Sequence, residues 1–392
     1  MFNKKIILSL WLIGGFALFL YSFTQVDLSL TLSQASLWQT IQTKFQYVGW
    51  FNRPLSTQIY IGLLIYLFGL FVITIKQVAN KKLSGKNIWT IIFFMAVILI
   101  PSYNAFSYDL FNYIFDARIV SNYNLNPYEY KPLDFSGDPM LSFMRSTHRV
   151  YPYGPTWLGI TVPLTFVSNE IFALSLILFK SLSALAFLGT AFLIKKIAEN
   201  LKLKNVNLAV ILFALNPLVI IESLVSSHNE IVMMFFAIFS LYLLFINKKI
   251  FSGLLLIISV GIKYATVVFI PIYVLKLFFK KIDNKKLINY SLILSVVAVI
   301  ATSLASGQNK GAEFQPWYLL LTAPFIGLIE KKFVKFVFFG VCLFALFSYI
   351  PFLYEGIWPK NIVEFKNILL FSGLIFGFGA YYLDKILNSK IA

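Results

Sequence analysis

Twelve apolar runs punctuate the chain, at 6–23, 58–75, 88–106, 171–194, 206–225, 230–246, 250–262, 264–279, 287–305, 316–329, 333–353 and 368–384. Most approach the roughly 20 residues that a helix needs to cross hydrocarbon. The pattern therefore predicts an all-α polytopic membrane protein of about twelve transmembrane helices, with a large first outer loop after the third. The runs 250–262 and 264–279 are short, and read as a pair of helices meeting near Lys263. The segment 156–168, "TWLGITVPLTFVS", would invert everything after it if it crossed, so it reads as a re-entrant or interfacial piece. The start, "MFNKKIILSLWLIGGFALFLYSF", has a positive end and an apolar centre but no small-residue cleavage site, and is read as an uncleaved first span.

Composition narrows the class. Of 392 residues, 59% are hydrophobic and 12% charged, whereas soluble domains carry about a quarter charged residues. No polar stretch is long enough for a separate globular core, so residues 1–392 read as a single membrane domain. The only cysteine, Cys342, and two histidines exclude a disulfide framework and give no zinc pattern. The net charge of +17 sits in short lysine clusters between apolar runs, which is topological rather than a nucleic-acid surface. With both termini cytoplasmic, 22 of the 33 Lys and Arg fall inside.

The arginines depart from that trend. Arg53, Arg118, Arg145 and Arg149 all fall outside, three of them in the loop 107–155 together with Asp109, Asp116, Glu129, Asp134, Asp138 and His148. The loop opens with "YDLFNYIFDARIVSNYNLNPYEY", in which Leu110, Phe111, Ile114, Phe115 and Ile119 make an apolar stripe at helical spacing. Asp109, Asn112, Tyr113 and Asp116 take the other face, and seven residues separate the carboxylates by about 10 Å. Spacing alone fits a solvated interfacial helix as well as a site.

That stretch, followed by "YPYGPTWLGITVPL", resembles the first outer loop of GT-C polytopic glycosyltransferases, in particular polyprenyl-phosphate-mannose-dependent mannosyltransferases. "SSHNEIVMMF" is similar to their His-Asn-Asp/Glu signature, "LLLIISVGIKYATVVFIPIYVL" to a helix, lysine, helix, proline pattern, and "FQPWYLLLTAPF" to a late Pro-Trp-Tyr motif. The likeness runs over residues 85–330. The Asp-x-Asp pair common in such enzymes is absent, since Ser107 and Tyr108 precede Asp109.

The resemblance implies transfer of a hexose, mannose first, from a polyprenyl-phosphate sugar to a lipid or glycan hydroxyl on the non-cytoplasmic face of the cell membrane. A carboxylate takes the acceptor's proton and cations receive the phosphate's charge. It implies Asp109 as base and Asp116, near Arg118, as an ion-paired orienter. Lys263, Arg118, Arg149 and His228 would hold donor phosphate or sugar, with Tyr151 and Tyr153 stacking on a sugar face. No cofactor is called for, and the use of a divalent metal is left open. Other residues have ordinary readings. Ser227 and Glu230 fit a capping box, Lys180 is placed to pair with Glu222, and Trp317 and Tyr318 suit an aromatic belt. The alternative class, a lipid-linked-sugar flippase or transporter, fits less well, because no internal repeat is visible and the ionisable groups crowd into one loop.

Overall fold

A computed structural model describes residues 3–279, 282–306 and 312–389. Lys280, Lys281 and Lys390 of the lysine clusters lie outside the described residues. Regular structure among the described residues is helical throughout. The first third comprises α1 Lys4–Thr24, α2 Ser36–Gln46, α3 Arg53–Ala79, α4 Gly85–Leu99 and α5 Asp109–Ser121. Next come α6 Pro155–Ser168, α7 Phe172–Asn200, α8 Val206–Ala214, α9 Pro217–Ile220, α10 Glu230–Phe245, α11 Lys249–Ile262 and α12 Ile270–Phe278. The chain closes with α13 Asn284–Ser306, α14 Ala323–Ile326, α15 Lys332–Phe347, α16 Ile350–Glu355 and α17 Ile362–Ser389.

Among the described residues, six helical stretches are long and apolar enough to cross a membrane, or seven if the bent pair 206–214 and 217–225 forms one span. The protein is therefore a multi-pass membrane protein. The remaining apolar runs behave differently, for local reasons. The run 88–106 is helical only to Leu99, and Pro101, with no N–H to donate, follows its end. The run 206–225 bends by 54° where Pro217 restarts the helix. Pro316 and Pro324 break the run 316–329 into a 3-10 turn, Pro316–Leu321, and the single turn α14. Its residues are buried as core, the usual fate of a short apolar run. The segment 156–168 folds as the 14-residue helix α6, also shorter than a span, packed on α5, α7 and α11.

The expected meeting of two short helices at Lys263 is present. Helix α11 ends at Ile262, Lys263 is extended, and a 3-10 turn over Tyr264–Phe269 leads into α12. The loop 151–154 docks against this break, with Gly154 N–H donating to the Ile262 carbonyl at 3.1 Å. The backbones approach so closely that a Cβ on Gly154 would lie 2.2 Å from the Gly261 carbonyl oxygen. One on Gly261 would lie 2.1 Å from Thr156 Oγ1.

Close approach of two backbones needs glycine on both sides, so Gly154→Ala and Gly261→Ala should each destabilise by about 1–3 kcal/mol. Gly159, in α6 with open space around it, is the control. Unfolding by SDS titration of detergent-solubilised protein should show lower midpoints for the first two variants and none for Gly159→Ala. Equal midpoints in all three would mean the contact is dispensable.

Candidate active site

The centre of the polar cluster is Asp109, the first residue of α5. Its position at a helix N-terminus suits a carboxylate. The rest of α5 is not the solvated amphipathic helix that spacing allowed. Leu110 to Ala117 are buried on every face, including Asn112, Tyr113 and Asp116. The polar face therefore points into protein, with Asn112 Nδ2 donating to the Ser146 carbonyl at 3.2 Å. Asp109 remains reachable, with 24% of its side chain exposed.

A turn at 226–229 delivers His228 beside it. Its entry is a π-helical turn, Ile221–Val225, a form common at functional positions. Ser227 then takes a left-handed φ of 51°. His228 N–H donates to the Glu222 carbonyl at 3.1 Å, which closes the turn. The imidazole is fully buried, with Nδ1 3.6 Å from Asp109 Oδ2 and Nε2 3.3 Å from Glu222 Oε2. Trp317 stacks on the ring at 4.1 Å between centroids and 18° between planes. Tyr349 Oη donates to the other oxygen of Glu222 at 2.9 Å.

The third component is the break at Lys263. Its ammonium forms an ion pair with Glu230 and lies over the rings of Tyr153 and Tyr318 at 5.8 and 5.6 Å. Arg149 stands within electrostatic reach of Asp109, Asp116, Tyr113 and Tyr153, and has no ion pair within 4 Å among the described residues. Burial raises the Asp109 carboxyl, while Arg149 and Lys263 pull it back. Burial pushes Asp116 up to about 7, with Arg149 opposing and Asp109 adding to the rise. Both carboxyls are thus raised by burial, with two cations opposing the rise at Asp109 and one at Asp116.

Several expected partnerships are replaced. Arg118 pairs with Asp138 at 3.2 Å rather than with Asp116, because residues two apart on a helix face different ways. Asp138 also accepts from Tyr123 Oη at 2.8 Å. Lys180 does not meet Glu222. It donates to the Leu224 and Val225 carbonyls, both at 2.8 Å, in the π-turn where backbone acceptors are free. The capping box fails, since α10 begins only at Glu230, whose carboxylate is taken by Lys263. Tyr151 is locked in its own loop, its Oη donating to the Gly154 carbonyl at 2.9 Å. Tyr153 is buried with its ring edge-on to Tyr113. Trp317 and Tyr318 are not belt anchors but walls of the site.

The structure thus brings together Asp109, Arg149, Tyr153, His228 and Lys263, and leaves Arg118 engaged elsewhere. Glu222, Tyr349 and Trp317 were missed as site residues. The signals available were the Pro-Trp-Tyr motif for Trp317 and, for Glu222, a carboxylate inside an apolar run. Around the turn, both His228 nitrogens, Glu222 Oε2, Glu230 Oε2, the Asn229 amide and three serine hydroxyls lack hydrogen-bond partners among the described residues. Buried polar groups are normally satisfied, so this cluster has spare capacity to bond a polar group. No group of three His, Cys, Asp or Glu among the described residues has the arrangement to hold a metal ion.

The state of Asp116 has a stability signature. Its carboxyl titrates near 4 unfolded and about 7 folded, so the native state binds the extra proton between these values. Stability should fall as pH rises through that window, by on the order of a few kcal/mol, and level off above it. Unfolding midpoints at about pH 5 and about pH 8 should differ clearly for the native protein and much less for Asp116→Asn. An unchanged difference in the variant would assign the pH dependence to other groups.

Comparison with curated proteins and with solved structures gives no match. The sequence profile of the MptA_B family, described as alpha-(1->6)-mannopyranosyltransferase, N-terminal domain, matches residues 11–278. That span holds Asp109, Asp116, Arg149, Glu222, His228, Glu230 and Lys263, and it covers well over half of the chain. The chain therefore belongs to this mannosyltransferase family, and is a multi-pass membrane glycosyltransferase.

Proposed function

We propose that the protein transfers mannose from a polyprenyl-phosphate-mannose donor to a hydroxyl of a lipid or glycan acceptor, with Asp109 as general base. The observation that carries this reading is the position of Asp109, a partly exposed carboxylate at the edge of a buried polar cluster and within reach of the unpaired Arg149. The acceptor O–H gives its proton to Asp109 as its oxygen bonds to the sugar's anomeric carbon. The bond from that carbon to the phosphate oxygen breaks, and its electrons leave with the phosphate.

Arg149 suits the phosphate because a guanidinium offers paired donors and stays charged. Lys263 adds less net charge, since Glu230 neutralises it, but its side chain remains 22% exposed. Tyr153 and Trp317 supply apolar walls of the kind that excludes water and stacks on sugar rings. The family description adds an α-(1->6) bond as the product.

Isosteric Asp109→Asn should lower mannosyl transfer by at least the roughly hundredfold that a general base contributes, with donor binding retained. Arg149→Ala should lower donor efficiency about ten- to hundredfold, the worth of a charge-assisted contact. The assay is transfer from radiolabelled polyprenyl-phosphate mannose to cell-envelope lipids by purified protein. Near-normal transfer by Asp109→Asn would move the base elsewhere.

We assign the loop 107–155 to the non-cytoplasmic face and both termini to the cytoplasm on the lysine distribution, a topology that requires the short helix α4 to cross as well as the two long helices before it, and an even number of crossings in all. Gly137 and Asp283 are both exposed. An impermeant thiol reagent should label Gly137→Cys in intact cells, and Asp283→Cys only after permeabilisation. Labelling of Gly137→Cys only from the cytoplasmic side would reverse the assignment.

A further inference from the structure

The base reading leaves one buried group unused. Glu222 is fully buried, and the ion pairs among the described residues give it no cation; its nearest charged partner is an imidazole. An ionised carboxylate in such a place is strongly disfavoured unless it is paired. The imidazole in question has a carboxylate at each nitrogen, Asp109 Oδ2 at Nδ1 and Glu222 Oε2 at Nε2. Tyr349 fixes Glu222 from behind and Trp317 fixes the plane of the ring. The backbone adds a third constraint, since His228 N–H donates to the Glu222 carbonyl. None of these groups is free to turn, so the protons decide how the row works.

We infer that Glu222 is a positioning residue for the catalytic base, holding one proton between its Oε2 and His228 Nε2 so that His228 must present its Nδ1–H to Asp109. The consequence is the same whichever of the two atoms carries that proton. If Glu222 is the acid, the neutral imidazole keeps its own proton on Nδ1. If the proton rides on Nε2, the imidazolium has N–H at both positions. Either way an N–H faces Asp109 Oδ2 across 3.6 Å, a gap of the kind that catalytic contacts close when substrate binds, and the other oxygen is left for the acceptor hydroxyl. A base oriented through a histidine by a buried second carboxylate follows the logic of hydrolase triads, in a different order of groups. This inference rests on Asp109 as the base, but its first test does not.

The chain has only two histidines, so a His148→Gln background leaves His228 as the single imidazole. Nitrogen-15 NMR of that protein in nanodiscs should show a protonated Nδ1. A bare Nδ1 overturns the inference regardless of any activity. In kinetics, Glu222→Met, close in volume and free of hydrogen bonds, should lower kcat about ten- to hundredfold with donor KM little changed. Glu222→Gln still offers an N–H to Nε2 and an oxygen to Tyr349, so it should recover most of that loss. Tyr349→Phe should lower kcat in the same sense by less, and guards against misfolding of the Met variant. If Glu222 only filled space, Met and Gln would both be benign. If Glu222 carried the proton away as an anion, both would be equally inactive. Either pattern sinks the proposal. Full activity of Asp109→Asn beside a protonated Nδ1 would instead unseat the base and leave the histidine geometry standing.

Discussion

The site depends on the expense of leaving a charge or a backbone polar group unpaired in an apolar interior. That constraint decides partners more strongly than sequence proximity does. Glu230 is captured by Lys263 across 33 positions rather than capping its own helix. Lys180 turns to two carbonyls that the π-turn leaves open. Arg118 reaches Asp138 in the folded loop. Arg149 is the exception among these cations, with no ion pair among the described residues. Its nearest acidic groups, Asp109 and Asp116, act on it electrostatically without an ion-pair contact.

The same constraint explains why the site lies where helices stop. Irregular backbone within a membrane protein survives only where it is buried in protein or lines a polar cavity. Three such interruptions converge here: the segment between α4 and α5, the turn at 226–229 and the break at Lys263. Each supplies a member of the cluster, namely Asp109, His228 and Lys263. The paired glycines Gly154 and Gly261 join the loop to the break, so the position of Lys263 depends on a close contact of the Gly154 and Gly261 backbones, with the Thr156 side chain against Gly261.

Much of this was legible in the sequence, and the boundary of legibility is physical. Hydrophobic periodicity gave the all-helical membrane class, the helix at Asp109 and the interruption at Lys263, because these are local. The number of spans was harder to read. An apolar run such as 316–329 looks alike whether it crosses lipid or fills a core, and only the prolines at 316 and 324 hint at its breakage. Pairings were read least well, since Tyr349 with Glu222 and Trp317 with His228 join residues about a hundred positions apart in the chain. A glutamate inside an apolar run carried the signal. It was read against Lys180, whereas its partner was the histidine six residues on.

Two of those partners carry a further implication. Trp317 and Tyr349 lie beyond residue 278, where the family match ends, yet they contact the His228 ring and the Glu222 carboxylate behind Asp109. Tyr318, also beyond it, faces Lys263. The matched segment provides every ionisable group of the site, and the later helices provide its rigidity and its aromatic walls. Such a division lets the region after 278 vary in sequence provided that it returns an indole to the histidine and a hydroxyl to the buried glutamate. It also means that the ionisable groups of 11–278 by themselves would hold the charges without the geometry, because an imidazole between two carboxylates has two ways to place its proton. The aromatic side chains from the second half hold the ring plane and the buried carboxylate in place.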